Sequence, residues 1–218
     1  MNKERTLIYF VRHGESMGNL KAICLGHTNL DITALGEKQA IRTAEALSTV
    51  DFAAIYSSDL IRAVNTAMPH CKIHNIDLIT DTTFRELYFG EWENCSIQYL
   101  TEHFREDFTV GWRQRFGTFT PPNGESVVHM AQRIYDGAKK AAECHLGRSI
   151  LIVSHAAAIR ALWGKISGLA PDRWAENPFP SNASYSVVEY LDGNLIPVEY
   201  SLDFHLGDMV TNIKPVNK

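Results

Sequence analysis

Four side chains able to hold and attack an anion lie where apolar runs of the chain stop. Leu7-Ile8-Tyr9-Phe10-Val11 ends in Arg12-His13-Gly14-Glu15-Ser16. Phe52-Ala53-Ala54-Ile55-Tyr56 ends in Ser57-Ser58-Asp59, with Arg62 a turn beyond, and Ser149-Ile150-Leu151-Ile152-Val153-Ser154 ends in His155. A guanidinium is a fixed cation whose planar fork matches phosphate, and an imidazole is a nucleophile or base near neutral pH. If the runs are parallel strands, their carboxyl ends share one side of a sheet and these residues can meet there. Two guanidiniums with an imidazole on either side suit a tetrahedral dianion better than a carboxylate. One neutral imidazole could attack phosphorus while the other, protonated, neutralises charge on the equatorial oxygens, and no metal is required. A departing alkoxide needs a proton. The loop from Phe84 to Glu93 offers Glu86 first, its aromatic neighbours favouring the neutral acid, with Glu91 and Glu93 as rivals. Singly, each residue has a plainer reading: a strand-end histidine bonded to backbone, or a helix arginine in a surface ion pair. Their joint placement at corresponding edges favours chemistry.

The elements that must position these groups are readable from periodicity. Residues 17 to 32 lack a sustained period and read as a loop over the first strand end. Thr33 reads as the N-cap of a helix over about 34–48, and a serine or aspartate of Ser57-Ser58-Asp59 as the cap of the helix carrying Arg62 and Thr66, which Pro69 should stop. A third strand is expected near Ile76–Thr80, and partly helical chain over 96–116. Val127, Ala131, Ile134, Ala138 and Ala141 recur at helical spacing, with Gly147 as the stop. A further helix should follow His155 to about Gly168, and runs on either side of Asp192-Gly193-Asn194 predict an antiparallel hairpin. The expected class is α/β: a mainly parallel central sheet flanked by helices, with a C-terminal antiparallel edge hairpin. One domain over residues 1–218 is expected, with an inserted cap near 86–122.

Composition narrows the partners. The 218 residues, 45% hydrophobic, can fill a substantial core. With 21 basic against 25 acidic residues the formal charge is −4, so no global positive field draws nucleic acid or an anionic membrane. An anionic substrate must be held by local cations. Cys24, Cys71, Cys95 and Cys144 are scattered, which predicts reduced thiols rather than disulfides or zinc. The first apolar run is too short for a secretion leader, and no stretch reaches membrane-spanning length, so a cytoplasmic location is the expectation. Asn182-Ala183-Ser184 matches a glycosylation sequon of the kind that arises by chance.

At these residues the chain resembles the histidine phosphatase superfamily, also called phosphoglycerate mutase-like. Arg12-His13-Gly14-Glu15 is similar to its RHGE signature, and Ser57-Ser58-Asp59-Leu60-Ile61-Arg62-Ala63 with Thr66-Ala67 to its segment around the second arginine. Gly124-Glu125-Ser126 resembles its GES motif, and Val153-Ser154-His155 the strand bearing the second histidine. The resemblance implies His13 as the nucleophile that becomes phosphohistidine, and Arg12, Arg62 and His155 as the phosphate pocket. It further implies Asn19 as an accessory phosphate contact, Glu86 as proton donor, and no cofactor or metal. Ala156 stands where glycine commonly follows the second histidine. Phe89-Gly90-Glu91-Trp92-Glu93 looks like the phosphatase-type loop, so the implied activity is hydrolysis of a small phosphorylated metabolite. The runner-up is a phosphoglycerate mutase needing a bisphosphorylated primer. A phosphoprotein phosphatase and an inactive phosphate-binding module stand behind it.

Overall fold

The computed structural model describes residues 5–211. Its centre is a six-stranded sheet in the order β3-β2-β4-β1-β5-β6. Strands β1 (Thr6–Arg12), β2 (Phe52–Ser57), β3 (Leu78–Thr80) and β4 (Ser149–Ser154) pair in parallel, and β5 (Tyr185–Leu191) and β6 (Asn194–Leu202) add an antiparallel edge. This is the mainly parallel α/β sheet with a C-terminal hairpin that the apolar runs predict. Asp192 and Gly193 turn the hairpin with φ of 52° and 80°, the left-handed pair that a tight two-residue connection needs.

Both faces of the sheet are covered, which is why the inner strands read as unbroken apolar runs. On one face Ile8, Phe10, Ile150 and Ile152 pack with α5 (Val127–Glu143) and α6 (Ala156–Ile166). On the other, Val11, Leu151, Val153 and Ile55 meet Ala63 and Ala67 of α3 (Ile61–His74), which lies beside α2 (Ala34–Ala46). Register then sets the chemistry. Arg12 pairs with Ser154, so the next residues, His13 and His155, leave neighbouring strands at the same level. The His13 N–H donates to the Ser154 carbonyl at 3.0 Å, and Ser58 N–H to the Val153 carbonyl at 2.9 Å, carrying the alignment past the sheet.

Several boundaries differ from expectation for identifiable reasons. Pro69 lies inside α3. A proline removes its own N–H and crowds the preceding turn at roughly 3 kcal/mol, and burial of Thr66, Ala67, His70 and Cys71 on the inner side carries the helix through. Its N-cap is Leu60, with no side-chain cap of its own; Asn29, from a distant loop, accepts the Ile61 N–H at 2.7 Å. The stretch after β1 contains the short helix α1 (Met17–Lys21), closed by a reciprocal box in which Ser16 accepts the Asn19 N–H and the Asn19 side chain accepts the Ser16 N–H. Helix α5 ends at Glu143, before Gly147. The 96–116 stretch holds α4 (Ile97–His103) and a π-helix over Glu106–Gln114. The four cysteines are free. Among the described residues no helix is long and apolar enough to cross a membrane.

Candidate active site

The ends of β1, α3 and the loop after β3 meet at a cavity of about 740 Å³, lined by Arg12, His13, Asn19, Arg62 and Glu86. His155 is fully buried beside them, its ring 5.2 Å from that of His13. The six positions singled out in the sequence therefore come together, five on the wall and one behind it.

The sharp turn after β1 depends on packing without side chains. A Cβ on Gly14 would stand 2.5 Å from the Gly36 carbonyl oxygen, so the strand end and the start of α2 approach only because both carry glycine. Thr66 accepts the Gly14 N–H at 3.0 Å, tying the turn to α3. His13 Nδ1 donates to the Gly14 carbonyl at 2.7 Å. A carbonyl can only accept, so the proton is on Nδ1 and Nε2 keeps its lone pair. Burial, then Arg62, then Arg12 push this imidazole well below its ordinary range, so it is neutral at physiological pH.

His155 has the complementary tautomer. Arg62 Nε donates to His155 Nδ1 at 3.3 Å, which puts the proton on Nε2. That nitrogen is buried and has no partner among the described residues. Burial first, then Arg62 and His13, lower the His155 pKa as well, which corrects the expectation of a protonated second imidazole. Two guanidiniums already supply the cation, and a third charge so close is disfavoured. His155 is thus a neutral N–H donor, while His13 is a neutral base.

Arg62 is held as firmly as it holds. Its Nη1 donates to the Thr28 carbonyl at 2.9 Å and its Nη2 to Gly26 at 2.7 Å. Arg12 Nη1 donates to the Pro180 carbonyl at 2.6 Å, and its buried Nε is unpartnered among the described residues. Burial lowers both guanidinium pKa values to about 10, with Glu86 opposing the shift, so both stay cationic at neutral pH.

Glu86 sits at the start of α6 in a setting the sequence did not reveal. Its Oε1 accepts N–H groups from Leu87 at 2.9 Å and Ala158 at 3.1 Å, and Oε2 accepts that of Ala157 at 3.1 Å. Three backbone donors hold the carboxyl. With one donor on Oε2 against two on Oε1, Oε2 is the oxygen with room for a transferable proton. Asn19 Oδ1 accepts from Ser16 N, Ser16 Oγ and Asn182 Nδ2. Three donors fix which end of its amide is oxygen. Ala156, in place of the usual glycine, opens α6 and lines the cavity.

Some positioning groups left no trace in the motifs. Asn182, 1% exposed, donates to the His13 carbonyl at 3.2 Å and to Asn19, so the sequon residue is a buried brace. Arg133 donates to the carbonyls of Thr83, Arg85 and Glu86, clamping the loop that presents Glu86. Glu125 of the Gly-Glu-Ser motif holds Arg133 through Nε at 2.9 Å and Nη2 at 2.7 Å. Glu93 accepts His27 N–H at 2.7 Å and Thr28 Oγ1–H at 3.0 Å, in the same turn whose carbonyls hold Arg62. Gly26 makes that turn possible: its φ is +52°, and a Cβ there would stand 2.2 Å from Glu93 Oε1.

Glu93 therefore holds the turn whose carbonyls hold Arg62. Glu93→Ala orphans the His27 N–H, and we expect kcat/KM to fall by about tenfold, about 1.4 kcal/mol, in the range for a stranded buried donor. The fall should be equal for alkyl and p-nitrophenyl phosphates and largely restored in Glu93→Gln. A loss confined to the alkyl ester would assign Glu93 the acid role.

The family follows from fold and motifs together. The histidine phosphatase superfamily (branch 1) profile matches residues 8–202, and the chain belongs to that superfamily. PhoE of Bacillus subtilis (strain 168), named an uncharacterized phosphatase, is 27% identical over 205 residues, covering 94% of this chain and 99% of PhoE. GpmB of Salmonella arizonae, named a probable phosphoglycerate mutase, is 33% identical over 188 residues, 84% of each chain. Among solved structures, YhfR of Bacillus stearothermophilus superposes with a TM-score of 0.86 at 25% identity, covering 92% of this chain and 99% of YhfR.

Proposed function

We propose that this chain is a phosphomonoesterase acting on a small phosphorylated metabolite through a phosphohistidine on His13. The observation that supports this most directly is the tautomer pair, a lone pair on His13 Nε2 beside an N–H on His155 Nε2. Arg12, Arg62, His155 and Asn19 bind the phosphoryl oxygens, and charge that builds on them in the transition state meets donors already in place. His13 Nε2 forms the bond to phosphorus as the ester P–O bond breaks, and the leaving oxygen takes its proton from Glu86 Oε2. Water then attacks the phosphohistidine, giving its proton to the Glu86 carboxylate. Inorganic phosphate leaves and His13 is restored. In this reading residues 1–218 act as one domain in the cytoplasm, with 86–122 as a cap over the leaving group. All positive charge comes from side chains, so neither metal nor cofactor is used.

The likeness to GpmB favours a second reading, a mutase that returns the phosphoryl group to its substrate. One assay separates them. EDTA-treated protein should release inorganic phosphate from a panel of monoesters and leave 3-phosphoglycerate unisomerised. Isomerisation faster than phosphate release would establish the mutase, and a strict need for added metal would overturn the side-chain mechanism.

A further inference from the structure

The wall of the cavity beyond the phosphate-facing groups is built from Ile23, Phe89, Ile97, Phe108, Trp112 and Phe179. These come from the loop after α1, from the stretch after β3 that carries Phe89, from α4, from the π-helix and from the loop before β5. Trp112 meets Phe89 at 4.9 Å and 73°, and Phe179 at 5.5 Å. The i→i+5 winding of the π-helix is carried to its end, where Arg115 N–H donates to the Val110 carbonyl, and this turn supplies both Phe108 and Trp112 to the wall. Arg113, which lies over the Phe108 ring at 5.7 Å, and Glu102, which accepts a hydrogen bond from Gln98, line the same cavity.

We infer that the alcohol released here is large and apolar, a ring-bearing or long-chain alcohol. This rests on the phosphomonoesterase reading and adds the class of leaving group. A volume of about 740 Å³ far exceeds what a three-carbon acid fills beside the arginines, and it falls in the range of drug-sized ligand sites. An apolar body displaces water from the aromatic wall.

A homologous series tests this, because ethyl to hexyl phosphates present chemically equivalent leaving oxygens and differ only in apolar length. The expected result is a rise in kcat/KM of about two- to fourfold per methylene, the factor for burying one CH₂. 3-Phenylpropyl phosphate should exceed ethyl phosphate by roughly a hundredfold, several methylenes' worth. The slope should collapse in Trp112→Ala and in Ile97→Asp, the second at a half-buried position. A flat series in the native enzyme overturns the inference, and an undiminished slope in Ile97→Asp overturns its placement on this wall. Acid-labile phosphate on the enzyme is followed in parallel. Turnover and label with a flat series defeat this inference alone, while absence of both defeats the phosphomonoesterase reading beneath it.

Discussion

His13→Ala abolishes turnover and, with it, the phosphoenzyme: that is the largest effect we expect. No neighbouring side chain offers an equivalent nitrogen, because His155 turns its Nδ1 to Arg62 and carries a proton on Nε2. Phosphate bound covalently from labelled substrate should be acid-labile and base-stable in the native chain and missing from the variant. Label undiminished in His13→Ala would remove His13 as nucleophile. The same imidazole predicts the acid limb. Its pKa is lowered by burial and by Arg62 and Arg12, so the neutral form persists below the ordinary value of 6.5 and is lost only as pH falls through the depressed value. Single-turnover labelling, corrected for the phosphate monoester's own ionisation near about pH 6, should show no fall centred near 6.5, and such a fall would mean that the ring titrates as if exposed.

Glu86→Gln should separate substrates by leaving group. An alkyl alkoxide needs a proton as P–O breaks, whereas p-nitrophenolate departs largely unaided. Loss of the proton on Oε2 should slow phosphorylation by roughly two to four orders of magnitude for an alkyl phosphate, the span of general acid catalysis, and much less for p-nitrophenyl phosphate. The glutamine NH₂ also faces either the Ala157 N–H or the N–H groups of Leu87 and Ala158, so some loss common to both esters is expected. The step is read as a single-turnover burst of released alcohol, because in the proposed mechanism Glu86 also activates water in the second half. Equal losses for the two esters would move the acid role elsewhere. Glu91, whose Oε1 accepts from the Asn123 amide, and Glu93 should show no such selectivity.

What could be read in the sequence was what local pattern encodes. The apolar run of β4 and its end at His155, the cap at Thr33 and the turn at Asp192-Gly193 are short-range signals, and each fell where expected. The meeting of Arg12, His13, Arg62 and His155 was legible because parallel strands share a carboxyl edge. What was hidden depends on partners far away in the chain. Nothing near Asn182 says that it bonds to His13, and nothing near Arg133 says that it gathers three carbonyls from residues 83–86. The tautomers could not be read either, since each is set by one hydrogen bond that exists only in the assembled fold. Pro69 marks the reverse case, a strong local signal overridden by burial of its helix.

The insertion of β4 between β2 and β1 also dictates when the enzyme can first become active. A chain emerging from the ribosome acquires Arg12, His13 and Arg62 early, but the Ser154 carbonyl that fixes the His13 backbone and the imidazole of His155 come only with the last parallel strand. Pairings so distant in sequence pay their loop-closure entropy before any contact rewards them, and they form late. No partially synthesised or partially folded chain that lacks β4 can then hold the two histidines side by side. In the proposed mechanism, phosphoryl transfer therefore waits for the central sheet to close.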